Sequence, residues 1–403
     1  MMCKRNVVFF LQQCGDPREH PPRFAALLFQ MKPSPNQRRR PKTAIAAALV
    51  SLCFARQALA EELSAFHGPP AMPQHDTAQL TGTKTSLLQT SVSSGEAGVL
   101  SESATETVNL PSISDRFWMI STRSLTSSTC KVDLTSPDLR VYQLDCNGKR
   151  TPTTLDDYLT ALTPDRRVVV YVHGNRISAN EVVRRSFSVY RNIVRCHDNQ
   201  PVDWVIWSWP SAKQGILVHD ARRKASRTDA QGLYLAWLLR KQLNQAESTK
   251  MIGFSFGSRV ITGALHSLAG GKLGGRLLPG PPTTGIPVDA GLVAPAIDSH
   301  WLSEKGYHAL ATKNLNQLAV LYNRRDAILK RYWRIDRARG RMALGYTGPR
   351  TFATRADGSK LPVVARDYSP VIGLRHDELD YYTKSRHAGN IMANLINDID
   401  DTP

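Results

Sequence analysis

The pentapeptide Gly253-Phe254-Ser255-Phe256-Gly257 constrains this chain more than any other feature. It has the form G-x-S-x-G and lies between an apolar run at 250–254 and a segment of helical period at 257–269. A strand that turns sharply into a helix strains the middle residue and exposes its side chain. The residues two before and two after crowd each other in such a turn, so both should lack a Cβ atom. Because the helix N-terminus also supplies N–H groups for developing negative charge, the pattern predicts that Ser255 is a nucleophile.

Strand and helix signals alternate along the chain from residue 116 onward. The segment Val168-Val169-Val170-Tyr171-Val172 is continuously apolar, as in parallel strands that are buried on both faces. The alternation predicts an α/β fold with a mostly parallel central sheet and helices on both faces. Strands are predicted at 117–123, 139–144, 168–172, 204–209, 250–254, 288–294 and 318–322, with a candidate last strand at 361–365, and helices at 179–194, 228–243, 257–269 and 388–398.

A second motif, His173-Gly174-Asn175, follows the predicted strand at 168–172 and precedes a predicted helix. Acyl transfer to a serine needs two N–H donors for the oxyanion, one directly after the nucleophile and one from the loop after an earlier strand. Phe256 and Asn175 occupy those two positions in the sequence. We therefore expect their backbone N–H groups to form the oxyanion hole.

These motifs together resemble the α/β-hydrolase superfamily, over roughly Arg116 to Asp398. More closely, the combination of Y-V-H-G-N, G-x-S-x-G and A-P-x-I-D resembles a bacterial group of α/β-hydrolases of uncharacterised function. The resemblance implies a sheet of about eight strands, a Ser/acid/His triad and no cofactor. It does not imply a substrate, because the fold hosts many activities. The matching segments are VVVYVHGN, WVIWSWPS, KMIGFSFGSRV, VLYNRRD and GLRHDE.

A serine hydroxyl needs a base, and in this fold the order along the chain is serine, acid, histidine. His376 follows the candidate last strand and a loop, which is where the catalytic histidine is expected. His387, at the start of the last predicted helix, is the alternative. His266 lies on the helix behind the serine and should point away.

The acid is expected just beyond a late strand. Asp326 follows the predicted strand at 318–322 and is the first choice, while Asp298, just past the A-P-x-I-D segment, is its rival. Three other carboxylates, Asp367, Asp377 and Glu378, are closer to His376 in sequence but lie in the wrong part of the topology. The sequence thus predicts a catalytic set of Ser255, Asp326 and His376, with Asp298 left open.

The N-terminal region has the three parts of a secretory signal. Basic residues at 38–42 precede an apolar run at 43–54, and Ala58-Leu59-Ala60 forms a small-residue cleavage site. We expect residues 1–60 to be an N-terminal extension and signal peptide, with Met31 as the start and cleavage after Ala60. Residues 61–114 are rich in Ser and Thr and predict a disordered linker, so the hydrolase domain covers 115–403. The protein should be exported, either periplasmic or secreted.

The chain is strongly basic, with 52 Lys and Arg against 34 Asp and Glu and a net charge of +18. Residues 1–60 hold 10 of the basic and 2 of the acidic residues, so the mature chain would carry 42 against 32, or +10. Such a balance favours anionic partners. No RNP-like motif, Cys/His finger or basic-leucine pattern is present, which argues against nucleic acid. The sequence contains no window of 18 apolar residues, so it does not predict a multi-span membrane protein.

Three cysteines, Cys130, Cys146 and Cys196, follow the predicted cleavage site. Export would allow disulfides, and Cys130 and Cys146 flank a predicted strand, but spacing leaves the pairing open. No C-x-x-C motif or His/Cys cluster indicates a metal site.

The motifs and the export signal together predict an exported serine hydrolase. The expected reaction is hydrolysis of a small-molecule or lipid carboxylic ester through an acyl-enzyme. The alternative is a catalytically weak binding protein with a hydrolase fold at an anionic surface. Contact with an anionic membrane surface is compatible with two basic runs, at 222–227 and 330–355. The acyl group, the leaving group and the oligomeric state stay open.

Overall fold

A nine-stranded sheet organises the part of the chain that the computed structural model describes, residues 115–194, 201–215, 217–243, 249–336 and 341–397. The predicted signal, the predicted linker and Cys196 lie outside these residues. The spatial strand order is β3-β2-β1-β5-β4-β6-β7-β8-β9. The strands are β1 (Arg116–Ser121), β2 (Arg140–Leu144), β3 (Arg150–Thr153), β4 (Arg167–Val172), β5 (Val202–Ser208), β6 (Thr249–Phe254), β7 (Val288–Val293), β8 (Leu315–Tyr322) and β9 (Val363–Asp367).

Most neighbouring strands are parallel, and β2 alone among the nine described strands runs antiparallel to its neighbours β1 and β3. Every residue of β4, β5, β6 and β7 is buried. Since successive side chains point to opposite faces, full burial means that both faces are covered, as the continuous apolar run at 168–172 predicts. The predicted α/β class is confirmed, with nine strands where about eight were expected.

The helices form two groups that correspond to the two faces of the sheet. Helices α3 and α4 pack on each other, and α2, α8 and α9 pack together. Right-handed crossovers that leave the centre in opposite directions place their helices on opposite faces. The helices are α1 (Leu155–Ala161), α2 (Glu181–Val194), α3 (Leu217–Gln242), α4 (Phe256–Leu268), α5 (Trp333–Asp336), α6 (Leu344–Thr347), α7 (Ser369–Ile372), α8 (Glu378–Thr383) and α9 (Arg386–Asn397), with short 3₁₀ turns at Thr129–Lys131, Ala309–Asn314 and Leu329–Arg331. Among the described residues, no helix is both long enough and apolar enough to cross a membrane.

The strand order creates a crevice at the centre of the sheet. Strand β4 pairs with β5 on one side and with β6 on the other, and the chain leaves β6 toward β7. Loops that leave adjacent parallel strands in opposite directions open a binding crevice at the carboxyl ends of those strands. Val172 pairs with Gly253, so the two strand ends are level and both predicted motifs emerge at this crevice.

Several elements differ from the sequence-based expectation, including the shorter helices α1, α5, α6, α7 and α8, which were not predicted. Strand β3 was not predicted, and it carries Pro152 at the edge of the sheet, where a missing N–H donor is tolerated. Helix α3 begins at Leu217 and not at residue 228. Its polar first half contains a buried ion pair at 2.8 Å between Lys224 and Asp220, a tertiary feature that periodicity does not reveal.

Candidate active site

Ser255 lies in a strained turn between β6 and α4. Its backbone has a φ of 52° and a ψ of −114°, a region that residues with a side chain rarely occupy. Such strain costs about 1–3 kcal/mol and persists only where the surroundings impose it. Here the surroundings include the bond from Ser255 N–H to the Val293 carbonyl, at 2.9 Å, and that from Ala296 N–H to the Ser255 carbonyl, at 3.1 Å.

The two glycines of the motif are required by close backbone approach. A Cβ atom on Gly253 would lie 2.9 Å from Ser258 N and 3.0 Å from the Gly257 carbonyl carbon, so the two ends of the turn do crowd each other. A Cβ atom on Gly257 would overlap the Val172 carbonyl oxygen and lie 2.8 Å from its carbon. Gly257 therefore lets the start of α4 rest on the end of β4.

His376 stands between Ser255 and Asp326. Its Nε2 atom is 2.9 Å from Ser255 Oγ, and its Nδ1 atom is 2.6 Å from Asp326 Oδ2. A carboxylate only accepts hydrogen bonds, so Nδ1 carries the proton and Nε2 is left to accept from the serine hydroxyl. The three side chains predicted from sequence are thus connected by hydrogen bonds although they are far apart in the chain.

The Asp326 carboxylate is fully buried and held on both oxygens. Its Oδ1 atom accepts hydrogen bonds from the N–H groups of Ile328 at 2.9 Å and Leu329 at 2.8 Å, at the start of a 3₁₀ turn. The other oxygen faces His376. This arrangement fixes the orientation of the carboxylate. It also offsets the free-energy cost of burying the charge, because charge-assisted hydrogen bonds to backbone N–H groups are strong.

The loops after β8 and β9 are tied to each other. Ala327 N–H donates to the Leu374 carbonyl at 3.1 Å, and Asn323 Nδ2 donates to the Gly373 carbonyl at 2.8 Å. Asn323 is buried and directly follows β8. Sequence reasoning did not identify Asn323; its position one residue past a late strand is the only signal that was available.

The loop after β4 packs against the serine turn. A Cβ atom on Gly174 would lie 2.6 Å from the Phe254 ring and 3.3 Å from the Phe254 carbonyl oxygen. Phe256 is the first residue of α4, so its N–H has no partner within that helix. The Asn175 Oδ1 atom is buried without a hydrogen-bond partner among the described residues. Both expected oxyanion donors therefore belong to segments that border the crevice.

His173, next to these donors, is a buried structural histidine. Its ring stacks on Trp209, and its Nε2 atom accepts from the Trp209 N–H at 3.3 Å. Burial, reinforced by the charge of Arg123, lowers the pKa of His173 to about 3. The imidazole is therefore neutral and supports the loop that carries Asn175.

The alternative residues have other surroundings. Asp298 Oδ1 accepts the His300 N–H at 2.9 Å. His387 is exposed at the start of α9. His266 Nδ1 accepts the Leu310 N–H at 3.2 Å, and burial lowers the pKa of His266 to about 4. None of these three side chains takes part in the hydrogen bonds that join Ser255, His376 and Asp326 in the described structure.

Metal-ligand groups and cysteines were the two other features for which the sequence left a question in the described residues. Among them, no group of three or more His, Cys, Asp or Glu side chains is arranged to hold a metal ion. Cys130 and Cys146 are exposed free thiols and do not pair with each other.

Comparisons with known proteins give weak matches. No protein-family model and no curated protein sequence matches the chain. Two crystal structures of esterase B from Lactobacillus rhamnosis are similar, each with a TM-score of 0.31. The C6-C4 SN3 inhibited form is 11% identical and is matched over 66% of this chain and 84% of its own. The C4-C4 SN3 tributyrin phosphonate form is 12% identical and is matched over 71% of this chain and 86% of its own.

The fold is assigned from the strand order and the local geometry of this chain, and not from these matches. The mostly parallel sheet, the crevice between β4 and β6, and a serine on a strained strand-to-helix turn define the α/β-hydrolase fold.

Proposed function

We propose that this protein is an exported serine hydrolase that cleaves carboxylic esters through an acyl-enzyme on Ser255. The observation that carries the proposal is the hydrogen-bonded series from Ser255 Oγ through His376 to the buried Asp326, on a strained turn. An unassisted serine hydroxyl is a poor nucleophile at neutral pH, and this series supplies the base that activates it. The closer resemblance to one bacterial group stays a prediction.

In the proposed reaction, Ser255 Oγ attacks the ester carbonyl carbon while His376 Nε2 takes the hydroxyl proton. The tetrahedral intermediate collapses, the C–O bond to the alcohol breaks, and His376 returns the proton to the leaving alkoxide. Water then attacks the acyl-enzyme with His376 again as base, which releases the acid and restores Ser255. Asp326 stabilises the imidazolium that forms in each half-reaction.

The oxyanion of each intermediate would be held by the N–H groups of Phe256 and Asn175. The N-terminus of α4 adds positive potential at the same point. Loss of one such donor typically costs about 3 kcal/mol of transition-state stabilisation. Since both donors belong to the backbone, side-chain substitutions at 175 and 256 should act mainly by moving the loops.

Turnover of p-nitrophenyl esters by the full chain tests the ester class. We expect hydrolysis of at least one acyl length, no turnover by Ser255→Ala, and much slower turnover of the matched p-nitroanilides, since amides have a poorer leaving group. Faster cleavage of anilides than of esters would contradict the ester assignment. Absence of turnover from every ester, with Ser255 inert to phosphonates, would favour the alternative of a binding protein.

A second candidate function, contact with an anionic membrane surface, is favoured by side chains around the proposed site. Of the five large apolar side chains that are exposed in the described residues, three lie in the segments that follow β8 and β9: Trp333, at the start of α5, Val371, in α7, and Leu374. Arg324, Arg325 and Arg375 are exposed in the same two segments. Exposed apolar side chains among cations are typical of surfaces that bind anionic lipid.

Co-sedimentation of the full chain with vesicles tests this second candidate. We expect binding to phosphatidylglycerol vesicles, weaker binding to phosphatidylcholine vesicles, and reduced binding by Leu374→Ser. Leu277→Ser is the matched control, because Leu277 is also exposed but lies in the connection between α4 and β7, which precedes a strand and does not follow one. Equal loss in both variants, or equal binding to both lipids, would exclude a specific docking surface.

A further inference from the structure

Arg185 joins helix α2 to the loop that carries His376. Its Nη2 atom is 2.6 Å from Asp377 Oδ1, and its Nε atom is 3.3 Å from Glu378 Oε2. Asp377 and Glu378 directly follow His376 in the chain. The Arg185 side chain is 19% exposed and that of Glu378 is fully buried, whereas Asp377 is 36% exposed, so the pair with Glu378 is the one that is shielded from water. Shielded ion pairs with defined geometry are strongly coupled, and removing one partner leaves the other charge buried.

Glu378 fastens the same loop to the central sheet. Its side chain is fully buried, and its Oε2 atom accepts the Tyr171 hydroxyl at 2.7 Å. Tyr171 lies on β4, close before the loop that holds Asn175. Burial raises the pKa of Glu378 to about 7, against the lowering effect of the Arg185 charge. Tyr382 is a further titratable neighbour of Glu378, and Arg375 also faces Asp377.

Arg185 also lies beside the ring that supports the histidine. Its guanidinium carbon is 5.8 Å from the centre of the Phe254 ring. The Phe254 ring in turn lies 5.0 Å from the His376 ring, at an angle of 32°. Phe254 precedes Ser255, so Arg185 contacts residues adjacent to both the proposed nucleophile and the proposed base.

We infer that Arg185 is a positioning residue, which holds the His376 loop and the Phe254 ring so that Nε2 faces Ser255 Oγ. The inference rests on the proposed function for the catalytic meaning of that alignment. Arg185 acts through Asp377, Glu378 and Phe254, and it has no role as a proton donor or acceptor. Because reacting groups must be aligned closely, a displacement of about 1 Å can cost on the order of 10²-fold in rate.

The central test compares Arg185→Met with Arg184→Met in the full chain. Arg184 is the neighbouring residue on α2, but it is exposed and faces the groove lined by Asn147 and Arg191. We expect Arg185→Met to lower kcat on the order of 10²-fold, with little change in KM. Arg185→Lys should recover part of the loss, since it keeps the charge but not the two-pronged geometry. Arg184→Met should behave as the unsubstituted protein.

A double variant separates positioning from folding stability. Arg185→Met leaves the buried Glu378 carboxyl without its cation, which should lower folding stability. Adding Glu378→Gln removes this unpaired buried charge. We expect the thermal midpoint to recover in Arg185→Met/Glu378→Gln while kcat stays low, because the contacts with Asp377 and Phe254 remain lost. Recovery of both quantities would overturn the inference and leave Arg185 with a purely charge-neutralising role.

Chemical modification provides a readout that does not need turnover. We expect diethyl pyrocarbonate to modify His376 faster in Arg185→Met than in Arg184→Met, as read by peptide mass, because a loosened loop exposes Nε2. Equal rates would contradict the inference. If Ser255 of the unsubstituted protein fails to react with a phosphonate, the proposed function fails. If Ser255 reacts with the phosphonate at the same rate in Arg185→Met as in the unsubstituted protein, only the inference about Arg185 fails.

Discussion

Asp326 and Asp298 illustrate how much a single residue's surroundings decide. Both are buried carboxylates that follow late strands, and both accept backbone N–H groups. Only Asp326 has its second oxygen on His376. Spacing alone did not decide which of the two is the acid. Which loop reaches the histidine depends on the lengths of the connections between strands and on packing between residues that are 50 positions apart in the chain.

Replacing the acid by its amide should separate the two candidates. Asp326→Asn would turn an acceptor into a donor toward His376 Nδ1 and favour the tautomer that cannot accept the serine proton. We expect a fall in kcat on the order of 10⁴-fold with a small change in folding stability. Asp298→Asn is the matched control and should change kcat less than tenfold. A larger loss in Asp298→Asn, measured with the same ester, would reverse the assignment.

The buried His173 should make folding stability depend on pH. Its pKa is near 6.5 when unfolded and about 3 in the fold, so between these values the unfolded chain binds a proton that the folded chain does not. The stabilisation is therefore complete above pH 6.5 and decreases as the pH falls. From pH 6.5 to pH 4 the loss should be about 3 kcal/mol.

Urea unfolding of the full chain at a series of pH values measures this effect. His173→Gln should reduce the slope between pH 4 and pH 6.5 without abolishing it, because its amide does not titrate but can still accept the Trp209 N–H, while the buried His266 continues to contribute. His387→Gln, at an exposed position, should leave the slope unchanged. An equal slope in all three proteins would show that His173 is not held neutral by burial.

At the scale of elements, the site depends on how closely α4 approaches β4. Gly257 rests on the Val172 carbonyl, whereas Gly263, further along the same helix, would meet no atom closer than 3.4 Å with a Cβ atom added. Gly257→Ala must therefore displace the helix, and overpacking of this kind costs typically about 1–3 kcal/mol. Gly263→Ala should be neutral or stabilising, since alanine favours helices.

Thermal unfolding of the two alanine variants checks this prediction. A lower midpoint for Gly257→Ala together with slower ester turnover is expected, because the turn that presents Ser255 moves with the helix. Similar midpoints in the two variants would mean that α4 can shift freely, and the strained turn would then lack its support.

The elements that sequence predicted are those whose own composition determines them. Strands β4 to β7 are mostly apolar, with Val168–Val172 a continuous apolar run, and the turn at Ser255 is marked by two glycines. Strand β3 and the first half of α3 escaped prediction because pairing at an edge and one buried ion pair hold them. The supporting contacts of the site were likewise invisible, since Arg185 and Glu378 meet across almost two hundred residues of chain.

At the scale of the whole molecule, the proposed export would determine the chemical environment of the site. We expect the mature chain to begin at Glu61, because Ala58-Leu59-Ala60 forms the good cleavage site after the apolar run. Edman sequencing of protein recovered from outside the cytoplasm should give Glu-Glu-Leu-Ser. A chain that retains Ala60 and its preceding residues in the cytoplasm would contradict the export proposal but leave the site chemistry untouched.

The intact mass of the full chain after treatment with a fluorophosphonate tests the central claim most directly. Only an activated serine forms the covalent adduct, so we predict one phosphonyl group per chain, located on Ser255. The adduct should be absent from Ser255→Ala and form much more slowly in His376→Ala. An adduct that persists in Ser255→Ala, or an unsubstituted chain that stays unmodified, would contradict the assignment of Ser255 as the nucleophile.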